Sequence, residues 1–102
     1  MTDPELMLLD EPAAGLDLGG REELVRRLGE LAADLAAPAL VLVTHHVEEV
    51  PPNFTDVLLI REGRIVAQGP IEITLTAENL EATFGLPLEL EVRGNRYAAR
   101  AR

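Results

Sequence analysis

Apolar residues in this chain come as short unbroken runs, one long helical stripe, and a late alternating stretch. The first run, Leu6-Met7-Leu8-Leu9, is closed by Asp10-Glu11-Pro12. A short run without alternation predicts a strand covered on both faces, as in a parallel sheet. Pro12 and Gly15 then interrupt regular structure. From Gly20 to Ala37 the rhythm becomes helical: Leu24, Leu28, Leu31 and Leu35 stack on one face, the expected core stripe. Glu22 and Glu23 stand one turn before Arg26 and Arg27 on the other side, pairs worth a few tenths of a kcal/mol each. Pro38 predicts the end of that helix, because a residue before proline is pushed out of the α region. Ala39-Leu40-Val41-Leu42-Val43 is a second buried-strand candidate, ending in Thr44-His45-His46. Strand, helix, strand is the βαβ pattern of a parallel sheet with a right-handed crossover.

Further along, Val47 to Val50 predicts a short helical piece cut off by Pro51-Pro52, with Glu48-Glu49 as its exposed face. Val57-Leu58-Leu59-Ile60 and Ile65-Val66-Ala67 flank Glu62-Gly63, the mark of a hairpin. Thr76 is placed to cap a short helix running to Phe84, with Gly85 as its stop. Leu88-Glu89-Leu90-Glu91-Val92-Arg93 alternates strictly, predicting a strand with one wet face. Gly94-Asn95 then suits a tight turn into a last strand around Tyr97. No internal repeat or low-complexity segment interrupts this α/β order.

Composition narrows the chemistry. The 102 residues hold 18 acids against 9 basic residues, all arginine, for a net charge of −9. With 47 % hydrophobic residues the chain is no disordered acidic tail, and its length suits one small domain or part of a larger one. Without cysteine there is no disulfide, thiolate zinc site or cysteine nucleophile. Without lysine there is no phosphate-binding loop of the G-x-x-x-x-G-K-[ST] type. No apolar run approaches the roughly 20 residues that span a bilayer, and no secretory signal opens the chain. The acidic balance argues against broad nucleic-acid binding. The charge is uneven, because Arg93, Arg96, Arg100 and Arg102 cluster at the end without an acid among residues 93–102.

In open α/β sheets, ligands collect beyond the carboxyl ends of parallel strands. The first strand brings Asp10 and Glu11 to that edge and the second brings Thr44 and His45. Two carboxylates and an imidazole there suit a metal ion and an activated water. Adjacent carboxylates repel, so one faces a hard cation such as Mg²⁺ while the other orients or deprotonates a nucleophile. Blander readings stand beside this one. An Asp-Glu pair before proline also makes a solvated turn, and His45 or His46 also serves to cap the following helix. The same strand-end pattern also fits a phosphoacceptor receiver domain, but that fold needs a lysine, which this chain does not have.

The residues in order resemble one family. Leu6 to Pro12 resembles the Walker B segment of ATP-binding cassette (ABC) ATPases, and Ala14-Gly15-Leu16-Asp17 resembles the D-loop that follows it. Val43-Thr44-His45 resembles the switch-histidine segment, and Val57 to Gly69, VLLIREGRIVAQG, resembles the next hairpin. Met1-Thr2-Asp3-Pro4 looks like the stretch that leads into the Walker B strand. The resemblance implies part of a P-loop NTPase fold: parallel strands with a crossover helix, then C-terminal hairpins and a short helix. On it, residues 1–70 are the C-terminal part of a nucleotide-binding domain and residues 71–102 an extension.

Roles follow from the same resemblance. Asp10 holds Mg²⁺, Glu11 acts as general base or water-positioning group, and His45 contacts the γ-phosphate. Asp10, Glu11 and His45 thus bind ATP and Mg²⁺, and Asp17 lies at the interface with a second ATPase subunit, identical or not. A membrane permease is a further implied partner, and the implied location is cytoplasmic or peripheral at the inner membrane face. His46 matches no motif position and is left a structural histidine. The phosphate-binding loop, Gln-loop and signature motif of the family precede Walker B and are absent; Leu18-Gly19-Gly20 echoes the signature on the wrong side of it. The expectation is therefore the C-terminal part of an ABC ATPase, inactive alone. The alternative is a non-catalytic interaction domain that binds an ATPase subunit, or an acidic partner or RNA through the Arg93–Arg102 end.

Overall fold

Leu6–Asp10 forms strand β1 and Ala39–Val43 forms strand β2, paired in parallel from Leu6 opposite Ala39 to Asp10 opposite Val43. The computed structural model describes residues 6–102, so the Met1–Pro4 lead-in falls outside the described residues. Helix α1, Leu18–Ala33, makes the crossover. The chain divides into two compact units between Asn53 and Phe54, each with its own core.

In the first unit α1 starts at Asp17, whose carboxylate accepts the Gly20 N–H at 2.8 Å. It ends at Asp34, in extended backbone, well before Pro38. The proline is therefore not the stop, and Leu35 is fully exposed rather than part of a core stripe. The buried face is Val25, Leu28 and Gly29, while Leu24 and Leu31 are only half-buried. Ala13 and Val47 complete this core, and a single 3₁₀ turn, Val47–Glu49, packs on α1. On the outer face Glu23 accepts from both Arg26 and Arg27 at 2.7 Å, and Arg26 also reaches Glu30. The hydrogen bond from Arg26, then that from Arg27, holds the Glu23 carboxyl down at about 2.

Gly29 shows why the packed face departs from the leucine stripe. A Cβ there would lie 3.0 Å from Pro52 Cδ and 3.1 Å from the Pro52 carbonyl oxygen, both rigid neighbours. Asn53, at φ 72°, donates its side-chain amide to the Gly29 carbonyl at 3.0 Å. Glycine costs a helix about 1 kcal/mol against alanine, and the close Pro52 contact explains its presence. Gly29→Val is expected to destabilise this unit by about 1–3 kcal/mol through overpacking. Hydrogen exchange of the α1 amides checks this, and unchanged protection would contradict it.

Strands β1 and β2 form a two-stranded sheet that is not covered on both faces. Leu6, Leu8, Val41 and Val43 share one exposed face, while Leu9, Leu40 and Leu42 are half-buried on the other. Unbroken apolar runs normally signal double cover, and among the described residues no element layers the outer face.

The second unit is a hairpin, two short helices and a second hairpin. Strands β3, Asp56–Arg61, and β4, Arg64–Pro70, are antiparallel around Glu62-Gly63, both at positive φ (52° and 76°) as a type I′ turn demands. A register shift beside Leu59 marks a bulge. Helix α2, Ile71–Thr74, is a single turn that no sequence signal announced. Helix α3, Ala77–Phe84, begins as predicted at Thr76, whose hydroxyl accepts the Asn79 N–H at 3.1 Å. It stops at Gly85 in left-handed backbone, φ 78°. Leu80 of α3, wholly buried, joins Leu59, Ile71, Leu75 and Leu88 as the core.

Strands β5, Leu88–Arg93, and β6, Arg96–Ala101, close the chain as a hairpin around Gly94-Asn95. Its apolar face pairs Leu88 with Ala101, Leu90 with Ala99 and Val92 with Tyr97. The opposite face neutralises the terminal arginines: Arg100 Nε meets Glu89 at 3.0 Å, and Arg93 meets Glu91 at 3.3 Å. Arg102 reaches Glu81 at 3.3 Å, and Glu81 also accepts the Leu88 N–H. The basic end is thus a paired strand rather than a bare patch.

Candidate functional site

The parallel pairing of β1 and β2 carries their carboxyl ends to one edge. Beyond Asp10 the chain does not run on as strand. Glu11 takes φ 49°, an unusual conformation for a residue with a Cβ, and its N–H donates to the Val43 carbonyl at 2.8 Å. Non-glycine residues in this region are strained and are often found where a side chain must be aimed. Here the kink turns Glu11 off the sheet edge while its backbone stays tied to the end of β2.

Across that edge stands His45, two residues past Val43. Its Nε2 lies 3.5 Å from Glu11 Oε2. The side chains are 73 % and 41 % exposed. A pair this open to water contributes about 0–1 kcal/mol to stability, so the fold does not depend on it. Asp10, opposite Val43 in the register, closes β1 at the same edge. Three of the sequence-predicted site residues, Asp10, Glu11 and His45, therefore gather at one strand edge.

Asp17 is placed differently. It is the N-cap of α1, with its carboxylate engaged by Gly20 N–H. His46 is exposed and leads into the 3₁₀ turn, its N–H donating to the Thr44 hydroxyl at 3.1 Å. The Glu48-Glu49 pair is no uniformly exposed face. Glu49 is buried, 7 % exposed, and accepts a 2.5 Å hydrogen bond from the Thr44 hydroxyl. Burying a carboxylate is costly without such a partner. The one signal for it in the sequence is a hydroxyl five residues earlier, across a strand end, and a helical reading hides that.

Among the described residues no three His, Asp or Glu side chains cluster as a metal cage. The donors at the edge are carboxylate oxygens, and a hard ion such as Mg²⁺ commonly takes one or two carboxylates, waters and substrate phosphates rather than a full protein cage. The donor set fits that ion. No described helix is long and apolar enough to cross a membrane.

Comparison with known proteins shows which family the chain resembles over most of its length. No family model matches the chain. It is 41 % identical over 90 residues to the ABC transporter ATP-binding protein YlmA of Bacillus subtilis, covering 88 % of this chain and 34 % of that protein. It is 40 % identical over 99 residues to the cobalt import ATP-binding protein CbiO of Rhodobacter capsulatus, covering 95 % of this chain and 35 % of that one. A solved structure described as an inward-facing ABC transporter of metal-chelate type superposes with a TM-score of 0.73 at 28 % identity, over 93 % of this chain and 38 % of that one. The chain spans about a third of the length of the curated relatives it matches. Its mixed α/β fold and these relatives make it a partial ATP-binding subunit of the ABC family.

Proposed function

We propose that this segment supplies the water-activating side of an ATP-hydrolysing site. The observation that carries the reading is the Glu11–His45 approach, 3.5 Å, at the ends of two parallel strands. Glu11, aimed by its φ of 49°, accepts a proton from, or orients, the water that attacks the γ-phosphate. His45 donates a hydrogen bond to that phosphate and steadies the charge that builds on its oxygens. Asp10 is the residue that would hold Mg²⁺ through its waters. When bound, that ion supplies charge neutralisation on the phosphates.

Asp17 lies near the contact with a second ATPase subunit, where its capping bond would hold the turn in shape for that contact. Residues up to 70 carry the family motifs, and residues 71–102 form an extension. The relatives bear names of ATP-binding proteins, one of them of a cobalt import system. These names support ATP as the ligand, a permease as partner, and a place at the cytoplasmic face of a membrane. Phosphate cradling in such sites comes from backbone N–H groups and a lysine. This chain has no lysine, so alone it binds Mg–ATP weakly and does not turn it over. The interaction-domain alternative draws no support from the arginine end, whose Arg93, Arg100 and Arg102 are occupied by neighbouring glutamates. The test is turnover by the complete subunit, which hydrolyses ATP and stops doing so when Glu11 is replaced by Gln.

A further inference from the structure

Two residues outside the pair hold the segment that carries His45. The Thr44 hydroxyl is used twice, donating to Glu49 Oε1 at 2.5 Å and accepting the His46 N–H at 3.1 Å. Glu49 also acts twice, because its own N–H donates to the His46 carbonyl at 3.0 Å. Of the residues on either side of His45, Thr44 is thus tied to the buried Glu49 carboxylate and His46 to the Thr44 hydroxyl and the Glu49 main-chain N–H, while His45 itself stays exposed. Exposed loops at strand ends are ordinarily mobile. Here Val43 is fixed to Glu11 from one side, and Thr44 and His46 are fixed to Glu49 from the other.

We infer that Glu49 and Thr44 are positioning residues: the Thr44–Glu49 strap, part-buried and away from the reacting atoms, sets the backbone of His45 so that its imidazole faces Glu11. A hydrophobic residue at position 49 would avoid the desolvation cost of a buried carboxylate. The carboxylate is accounted for by the one hydroxyl it must hold. The inference rests on reading His45 and Glu11 as the working pair, and the measurements below separate the two.

The first measurement uses the 102-residue chain and needs no turnover. In the parent chain, Glu11→Gln shifts the His45 imidazole Cε1–H resonance, because the two side chains face each other. His46, which faces no carboxylate in this way, serves as the internal reference. In Thr44→Val and in Glu49→Leu backgrounds the same Glu11→Gln change leaves His45 unmoved. Thr44→Ser keeps the hydroxyl and restores the response. An undiminished response in folded Thr44→Val, or a Thr44→Ser chain that behaves like Thr44→Val, overturns the strap. Should Thr44→Val unfold, the Ser variant and Glu49→Gln, which keeps an acceptor oxygen, carry the comparison, and loss of the response in both overturns it.

The second measurement is steady-state ATPase activity of the complete subunit. Thr44→Val lowers kcat by about 10²-fold, the usual cost of roughly ångström-scale misplacement, with KM for ATP held within twofold, and Thr44→Ser returns most of kcat. An equal rise in KM, or no loss of kcat, contradicts a positioning role. If the unsubstituted complete subunit hydrolyses no ATP, the functional reading fails, and the resonance measurement still decides the strap.

Discussion

Glu11→Gln in the complete subunit is expected to lower kcat for ATP by about 10²- to 10⁴-fold, the range that a positioned general base supplies. That corresponds to about 3–5 kcal/mol of barrier. The change is nearly isosteric, so the φ of 49° and the backbone bond to Val43 survive it. Gln retains an oxygen to meet water but cannot take its proton. Removing a negative charge beside a triphosphate does not weaken nucleotide binding, so KM for ATP should not rise, the pattern of an interaction made in the transition state. Phosphate release under saturating Mg–ATP measures kcat, and nucleotide retention on the isolated variant measures binding. Turnover at the unsubstituted rate would remove Glu11 from the role proposed for it.

The largest stability effect is expected at Leu80. It is wholly buried on α3, which packs against β3, β4 and β5 at once. Leu80→Ala removes buried methyl groups and leaves a cavity between elements that cannot all collapse inward, at a cost of about 2–5 kcal/mol. Against a typical domain stability of about 5–15 kcal/mol, this is enough to leave the second unit partly unfolded. The single tyrosine of the chain, Tyr97, lies in that unit and reports its unfolding in urea. Leu35→Ala is the control. Leu35 is fully exposed past the end of α1, and its replacement should change stability by no more than about 0.5 kcal/mol. Equal losses in the two variants would contradict the packing described.

Local chemistry explains which parts of this fold are legible in the sequence. Turn and cap residues act on their own neighbours, so Thr76, Gly85, Glu62-Gly63 and Gly94-Asn95 mark their elements within a residue or two. The parallel pairing of β1 and β2 was legible because two short apolar runs enclose one helical stretch. So was the meeting of Glu11 with His45, since the pairing forces their strand ends together.

What was not legible depends on neighbours distant in sequence. The buried face of α1 is set by Pro52 pressing on Gly29, which turns the packed stripe to Val25, Leu28 and Gly29. A count of leucines could not find a face chosen for its smallest residue. The helix ends at Asp34 because extended backbone begins there, four residues before the proline that seemed to forbid more helix. The outer face of β1 and β2 reads as core in sequence and is exposed in this chain. This exposed apolar face fits a segment that spans about a third of its relatives. Glu49 was hidden beside Glu48, where two adjacent acids look like a solvated face, and only the Thr44 hydroxyl distinguishes them.

The role proposed for this chain is the water-activating edge of an ATP site without the phosphate cradle. The most direct test is a Mg–ATP titration of the purified 102-residue chain, followed by backbone and imidazole NMR with phosphate release monitored on the same samples. Weak binding is expected, with shifts concentrated at Asp10, Glu11, Thr44 and His45 and no phosphate released above the rate without protein. Steady phosphate release, or shifts centred on Arg93–Arg102 with the strand edge unmoved, would contradict it.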